Sequence, residues 1–220
     1  MGHFQVISLG IIPFLFVFIG LEMGKRGMKN WILRKYYHIL LYGLLALDGI
    51  ILESAYEIIL SIALFFSIAL ALTLLTSFDF NSIIKSGVRD GEKYLALQIN
   101  NGLTIVISIL ILFLLGRWVF VLTTLVLALG DGLGELIGRP FGRIKYKLLS
   151  TKSVIGSLAV LLGALTSLFI VNYLFDLSIS LTILILYAIS YTISEAVAFT
   201  ATDNLFLHGV SIAIYYIQQI

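Results

Sequence analysis

The chain has 220 residues, 60% of them hydrophobic and 12% charged, with a mean hydropathy of +1.08 that lies far outside the range of soluble domains. A net charge of +2, with the cations in short loops, argues against a nucleic-acid-binding face. The absence of cysteine excludes disulfides, thiolate metal sites and cysteine nucleophiles.

What remains is an all-α, polytopic helical bundle in lipid, read as a single membrane-embedded domain over residues 1–220. Apolar stretches long enough to cross, at roughly 20 residues per span, occur at 6–21, 38–52, 58–75, 103–115, 119–137, 154–175 and 177–199. They predict seven transmembrane helices, with 205–220 as an eighth span or a segment lying partly in the bundle. The first run leads into Lys25 and Arg26 rather than a small-residue cleavage site, and reads as an uncleaved span. Cations gather in alternate connections: Lys25, Arg26, Lys29, Arg34 and Lys35; then Lys85, Arg89 and Lys93; then Arg139, Arg143, Lys145, Lys147 and Lys152. Arg117 falls on the other side with Glu53, Glu57 and Asp176, so the positive-inside rule predicts an outside N-terminus and cytoplasmic basic loops. Trp31 and Trp118 flank spans at interfacial depth.

Polar groups punctuate the spans in five places. Arg34 and His38, with Lys35 between them, share a face if the helix already runs there, and offer phosphate-seeking groups at the membrane surface. Flanking cations that mark topology and bind lipid headgroups would look the same. Arg89, Asp90, Glu92 and Lys93 precede Gln98, Asn100, Asn101 and Gly102, an amide-rich start for a span unless something polar faces it. Asp131 and Glu135 stand one turn apart among Gly130, Gly132, Gly134 and Gly138. Each carboxylate is expensive in lipid unless it faces the bundle interior, a cation or water, and the pair suits Mg²⁺ with waters and substrate phosphates completing its shell. The glycines let a phosphate or a second helix approach the backbone, and Gly134 with Gly138 makes a packing GxxxG. Next, Lys152-Ser153 and Gly156-Ser157 open a span, either as an anion-facing helix N-terminus or as an N-cap followed by packing residues. Last, Glu195 lies in the final turns of the seventh span, and Asp203-Asn204 follow it. His3 and His208 read as satisfied or interfacial histidines rather than ligands. All five groups fall on the predicted cytoplasmic side.

Taken together, these stretches resemble the CTP-dependent polyprenol kinase family, which includes dolichol kinases, phytol kinases and CTP-using diacylglycerol kinases. The resemblance rests on Arg34-Lys35 with His38, and on Arg89 with Glu92 before Asn101-Gly102. It continues through Gly130-Asp131-Gly132 with Glu135, Gly138-Arg139 and Phe141-Gly142, then Lys152-Ser153 with Gly156-Ser157, and Glu195 with Asp203-Asn204. It implies an integral membrane enzyme that moves the γ-phosphoryl group of CTP to the hydroxyl of an isoprenoid or glyceride alcohol in the bilayer, with Mg²⁺ or a similar cation. By the same resemblance Asp131 is the first metal ligand, with Glu135 and Asp203 after it. Arg139 and Lys152 would hold phosphates, Arg34 and His38 would support the nucleotide or the transferring group, and Asn204 would position it. Glu195, Asp203 and His38 are the candidates for the base. Two other readings stay open: a CTP-dependent cytidylyltransferase forming a CDP-lipid, and a small membrane transporter with polar residues along its pathway.

Overall fold

The computed structural model describes residues 2–75, 94–198 and 203–219. In chain order the helices are α1 (Gly2–Ile11), α2 (Pro13–Lys25), α3 (Asn30–Ile51), α4 (Ala55–Leu75), α5 (Tyr94–Leu114) and α6 (Arg117–Leu125). Then come a π-helical stretch π1 (Val126–Asp131), α7 (Gly132–Phe141), a hairpin of β1 (Lys145–Lys147) and β2 (Thr151–Ser153), α8 (Val154–Leu174), α9 (Leu181–Val197) and α10 (Asp203–Gln218).

Among the described residues, four helical stretches are long and apolar enough to cross a membrane: Phe4–Lys25, Ala55–Leu74, Arg117–Phe141 and Val154–Leu174. Gly102–Leu114 and Leu181–Val197 are apolar but shorter. The outward surface is itself apolar, with Phe4 79%, Leu162 63% and Tyr173 82% exposed, as suits a bundle whose solvent is lipid. Inside, Tyr42, Phe120, Leu127, Leu184, Tyr191 and Leu207 are fully buried in one continuous core.

Helix boundaries differ from the hydropathy reading where polar residues continue a helix past the apolar run. α3 begins at Asn30, well before residue 38, so Arg34 and His38 are helical and do share a face. The chain reaches that start through a tight turn. Gly27, at φ +81°, follows α2, and its N–H and that of Met28 close onto the carbonyls of Gly24 and Met23, a Schellman ending that residues with a Cβ adopt poorly. At the opposite end of the bundle Arg117 donates to the Leu52 carbonyl at 3.1 Å and lies 5.2 Å over the Phe175 ring, tying the ends of α3 and α8 to the start of α6.

The architecture is mostly helical, in keeping with the all-α expectation. The basic connection after Phe141 adds one small hairpin, in which Lys145–Lys147 pairs antiparallel with Thr151–Ser153. Tyr146 and Lys152 are cross-strand partners, both half-buried; along β1 Tyr146 lies between the exposed Lys145 and Lys147, and along β2 burial deepens from Thr151 through Lys152 to Ser153.

The π1 stretch is held by a close backbone approach from α8. A Cβ at Gly163 would lie 2.5 Å from the Leu129 carbonyl oxygen and 2.8 Å from Gly130 Cα, both backbone atoms that cannot rotate away. Gly163→Ala is therefore expected to push α8 off π1 and destabilise the fold by about 1–3 kcal/mol. Gly43→Ala, whose Cβ would meet nothing within 4 Å on α3, should be neutral or stabilising by a fraction of 1 kcal/mol. Thermal unfolding of both variants in detergent checks the contrast.

Candidate active site

Chemistry-bearing residues from α3, π1, α7, the hairpin and α9 meet at one end of the bundle. Lys35, only 3% exposed, donates to Asp131 Oδ2 at 2.6 Å and lies 3.3 Å from the Asp131 carbonyl and 3.4 Å from Glu135 Oε2. Arg34 forms an ion pair with Glu135. His38 Nε2 stands 3.0 Å from both Asp131 Oδ2 and the Leu127 carbonyl. Both of those neighbours accept, so this nitrogen carries the proton and donates. One face of α3 thus backs the two carboxylates with three donors.

Asp131 ends π1, where the widened turn bonds the Gly132 N–H to the Leu127 carbonyl that also receives His38. Such π-bulges recur at functional sites because the extra residue re-aims a side chain. Here the bulge brings Asp131 to Lys35 and leaves Glu135, one turn on, beside Arg34. Arg139 Nε reaches Glu135 Oε1 at 3.3 Å, and its guanidinium lies 5.3 Å over the Trp31 ring. Trp31 is therefore a platform for Arg139 as well as an end-of-span aromatic.

In front of the carboxylates opens a cleft of about 370 Å³. Asp131, Glu135 and Glu195 line it together with Arg139, Lys145 and Lys152. Lys152 is bonded to Glu195 from α9, and its strand partner Tyr146 shares a 2.5 Å hydrogen bond with Ser157. Three carboxylates are thus met by the cations Arg34, Lys35, Arg139 and Lys152, leaving the cleft on balance positive once Lys145 is included. The N-terminus of α8 opens onto it, with Ser153, Gly156 and Ser157 in the wall.

The glycines serve helix approach. A Cβ at Gly138 would stand 3.0 Å from Gly156 Cα and 2.9 Å from Ser153 Oγ, and one at Gly134 would meet Val160. Gly132 leaves room for Ile39, and Gly130 has ordinary clearance from Val160 and Ala164. Ser153 is the N-cap of α8: its hydroxyl accepts from the Gly156 N–H at 3.2 Å and donates to the Gly138 carbonyl. It welds α7 to α8 under the cleft.

Arg89 and Glu92 lie outside the described residues, as do the side chains of Asn101 and Asp203. Asn204 is buried, and its carbonyl accepts from His208 Nδ1 at 2.7 Å. His208 Nε2 lies 2.9 Å from Ser108 Oγ, so His208 is a buried, satisfied histidine. Lys145, Thr151 and Tyr146 were not singled out by sequence reasoning. The alternating Lys-Tyr-Lys and Thr-Lys-Ser triplets were the available signal.

Among the described residues, which leave out the Asp203 side chain, no group of three or more His, Asp or Glu that could hold a metal ion converges. Two hard carboxylates on a cation-lined cleft do fit a Mg²⁺ that arrives with phosphates and keeps waters, since that ion commonly takes only one or two protein oxygens. Comparison with protein-family models, curated proteins and solved structures found no match.

Proposed function

We propose that this protein phosphorylates the terminal hydroxyl of a membrane lipid alcohol, with CTP as donor, in the manner of the polyprenol kinase family that its motifs resemble. The fuller topology belongs to the same proposal: seven spans or eight, the N-terminus outside, and the cleft opening on the cytoplasmic surface. The observation that carries the reading is the two-sided charge arrangement. Asp131 and Glu135 are held from behind by Lys35, His38 and Arg34, and the cleft before them is lined by Arg139, Lys145 and Lys152. A carboxylate site that must accept a triphosphate needs its own negative charge offset, and this one is.

Phosphoryl transfer asks the protein mainly for in-line placement and charge neutralisation. Lys152 and Arg139 would hold phosphate oxygens, with Lys145 and the N-terminus of α8 adding positive potential. Lys35, Arg34 and His38 would offset the charge of Asp131 and Glu135 and hold both at the cleft. Mg²⁺, held by Asp131 and Glu135 with Asp203 as a third candidate, would neutralise charge on the transferring phosphates. The alcohol oxygen attacks the γ-phosphorus, the bond to the β-γ bridging oxygen breaks, CDP leaves, and the alcohol proton passes to a carboxylate. Glu195 lines the cleft and is better placed for that proton than His38, whose Nε2 donates to Asp131.

The test uses purified protein with Mg²⁺, a panel of isoprenoid alcohols and diacylglycerol, and CTP labelled separately at the γ and α positions, with ATP as competitor. Label from the γ position in the lipid is the expected result and names the acceptor. If only α label enters, and only after a phosphorylated lipid is supplied, the protein is a cytidylyltransferase. Absence of transfer from either label removes the enzyme reading and returns the polar cleft to a transport role.

A further inference from the structure

The segment that joins α7 to α8 carries an exposed surface that the cleft does not use. Phe141 is 66% exposed, Ile144 72%, Leu148 54% and Leu149 53%. Between them stand the exposed cations Arg143 and Lys147. Two three-residue strands make a marginal hairpin in water, and a Leu-Leu turn is a poor tip for one that projects into solvent. Both flanks leave stretches able to cross a membrane, Arg117–Phe141 before and Val154–Leu174 after, so the hairpin cannot lie far from the bilayer surface. Its tip is pinned sideways: Ser150 donates to the Ala198 carbonyl at 3.1 Å, at the end of α9, whose Ile189 and Ile193 are 40% and 57% exposed. The turn thus sits beside a helix with an apolar outer face.

We infer that this hairpin is an interfacial anchor, with Leu148 and Leu149 seated among the upper acyl chains and Arg143 and Lys147 on anionic lipid headgroups. Alternating large apolar and basic residues is the composition that binds such a surface, the apolar side chains entering the acyl boundary and the cations meeting phosphates. The same hairpin carries Lys145 and Lys152 into the cleft, so seating its tip in the bilayer holds the wall of the site at the depth of lipid headgroups. This inference requires only that the bundle be in a bilayer, and does not depend on which reaction the cleft performs.

The chain has no cysteine, so Leu149→Cys gives one labelling position on the intact protein. The variant is labelled with an environment-sensitive fluorophore and reconstituted into vesicles of phosphatidylcholine alone or with phosphatidylglycerol added. Quenching by lipid-borne nitroxides, a blue-shifted emission, and a severalfold loss of quenching by aqueous iodide are expected, all stronger with phosphatidylglycerol and weakened by Arg143→Gln with Lys147→Gln. A label equally open to iodide in both vesicle types, and untouched by the nitroxide lipids, overturns the anchor. Lipid quenching that neither phosphatidylglycerol nor the charge variants alter overturns the headgroup recognition.

Discussion

Asp131→Asn is expected to abolish transfer and to lower stability by about 3–5 kcal/mol, the usual cost of breaking a buried ion pair by removing one partner. The stability loss follows from Lys35, which is 3% exposed and spends its ammonium on Asp131 Oδ2 at 2.6 Å. Removing the carboxylate charge leaves that cation buried against Glu135 and a backbone carbonyl alone. Adding Lys35→Met to Asp131→Asn should recover most of the lost stability, because the new amide oxygen still accepts from His38 and no buried ammonium remains. Transfer should stay absent in the double variant. Thermal midpoints in detergent and the γ-label assay, run on the two single variants and the double, separate the roles. Full transfer in the stabilised double variant would remove Asp131 from the chemistry.

Lys152→Gln should leave the protein folded while transfer falls by about 10²–10³-fold, the range for losing one preorganised charge-stabilising donor. Lys152 is held on β2 opposite Tyr146, and its ammonium is bonded to Glu195 across the cleft. If its task is to meet phosphate in the transition state, kcat falls with kcat/KM and the lipid KM barely moves. A merely structural tie to Glu195 would behave differently: transfer by the single variant would fall only as far as its folded fraction in detergent falls. Loss of transfer that tracks loss of folded protein is the outcome that rejects the phosphate role.

Much of the site was legible because isolated carboxylates in apolar runs have few physical excuses. Asp131 and Glu135 were each costly unless they faced the bundle interior, a cation or water, and each is paired, with Lys35 and His38 and with Arg34 and Arg139; Glu195, read only by its position, is paired with Lys152. The spacing of Arg34 and His38 on one helical face was equally readable once the helix was taken to start ahead of the apolar run. Lys35 shows the limit. From sequence it was one more surface cation suited to phosphate, and nothing local distinguishes it from Arg34. Its burial against Asp131, 96 residues away in the chain, is a long-range fact.

The amino-acid order by itself determined that the chain is mostly helical with apolar stretches suited to lipid, and that Asp131 and Glu135 needed partners there, since hydropathy acts locally and a membrane penalises every unpaired polar group. Tertiary structure alone decided which cation answers which carboxylate, that π1 turns Asp131 toward α3, that Gly163 and Gly156 admit neighbouring backbones, and that the basic connection folds into a hairpin walling the cleft. Those outcomes depend on the approach of segments distant in sequence, and short-range periodicity carries no record of them.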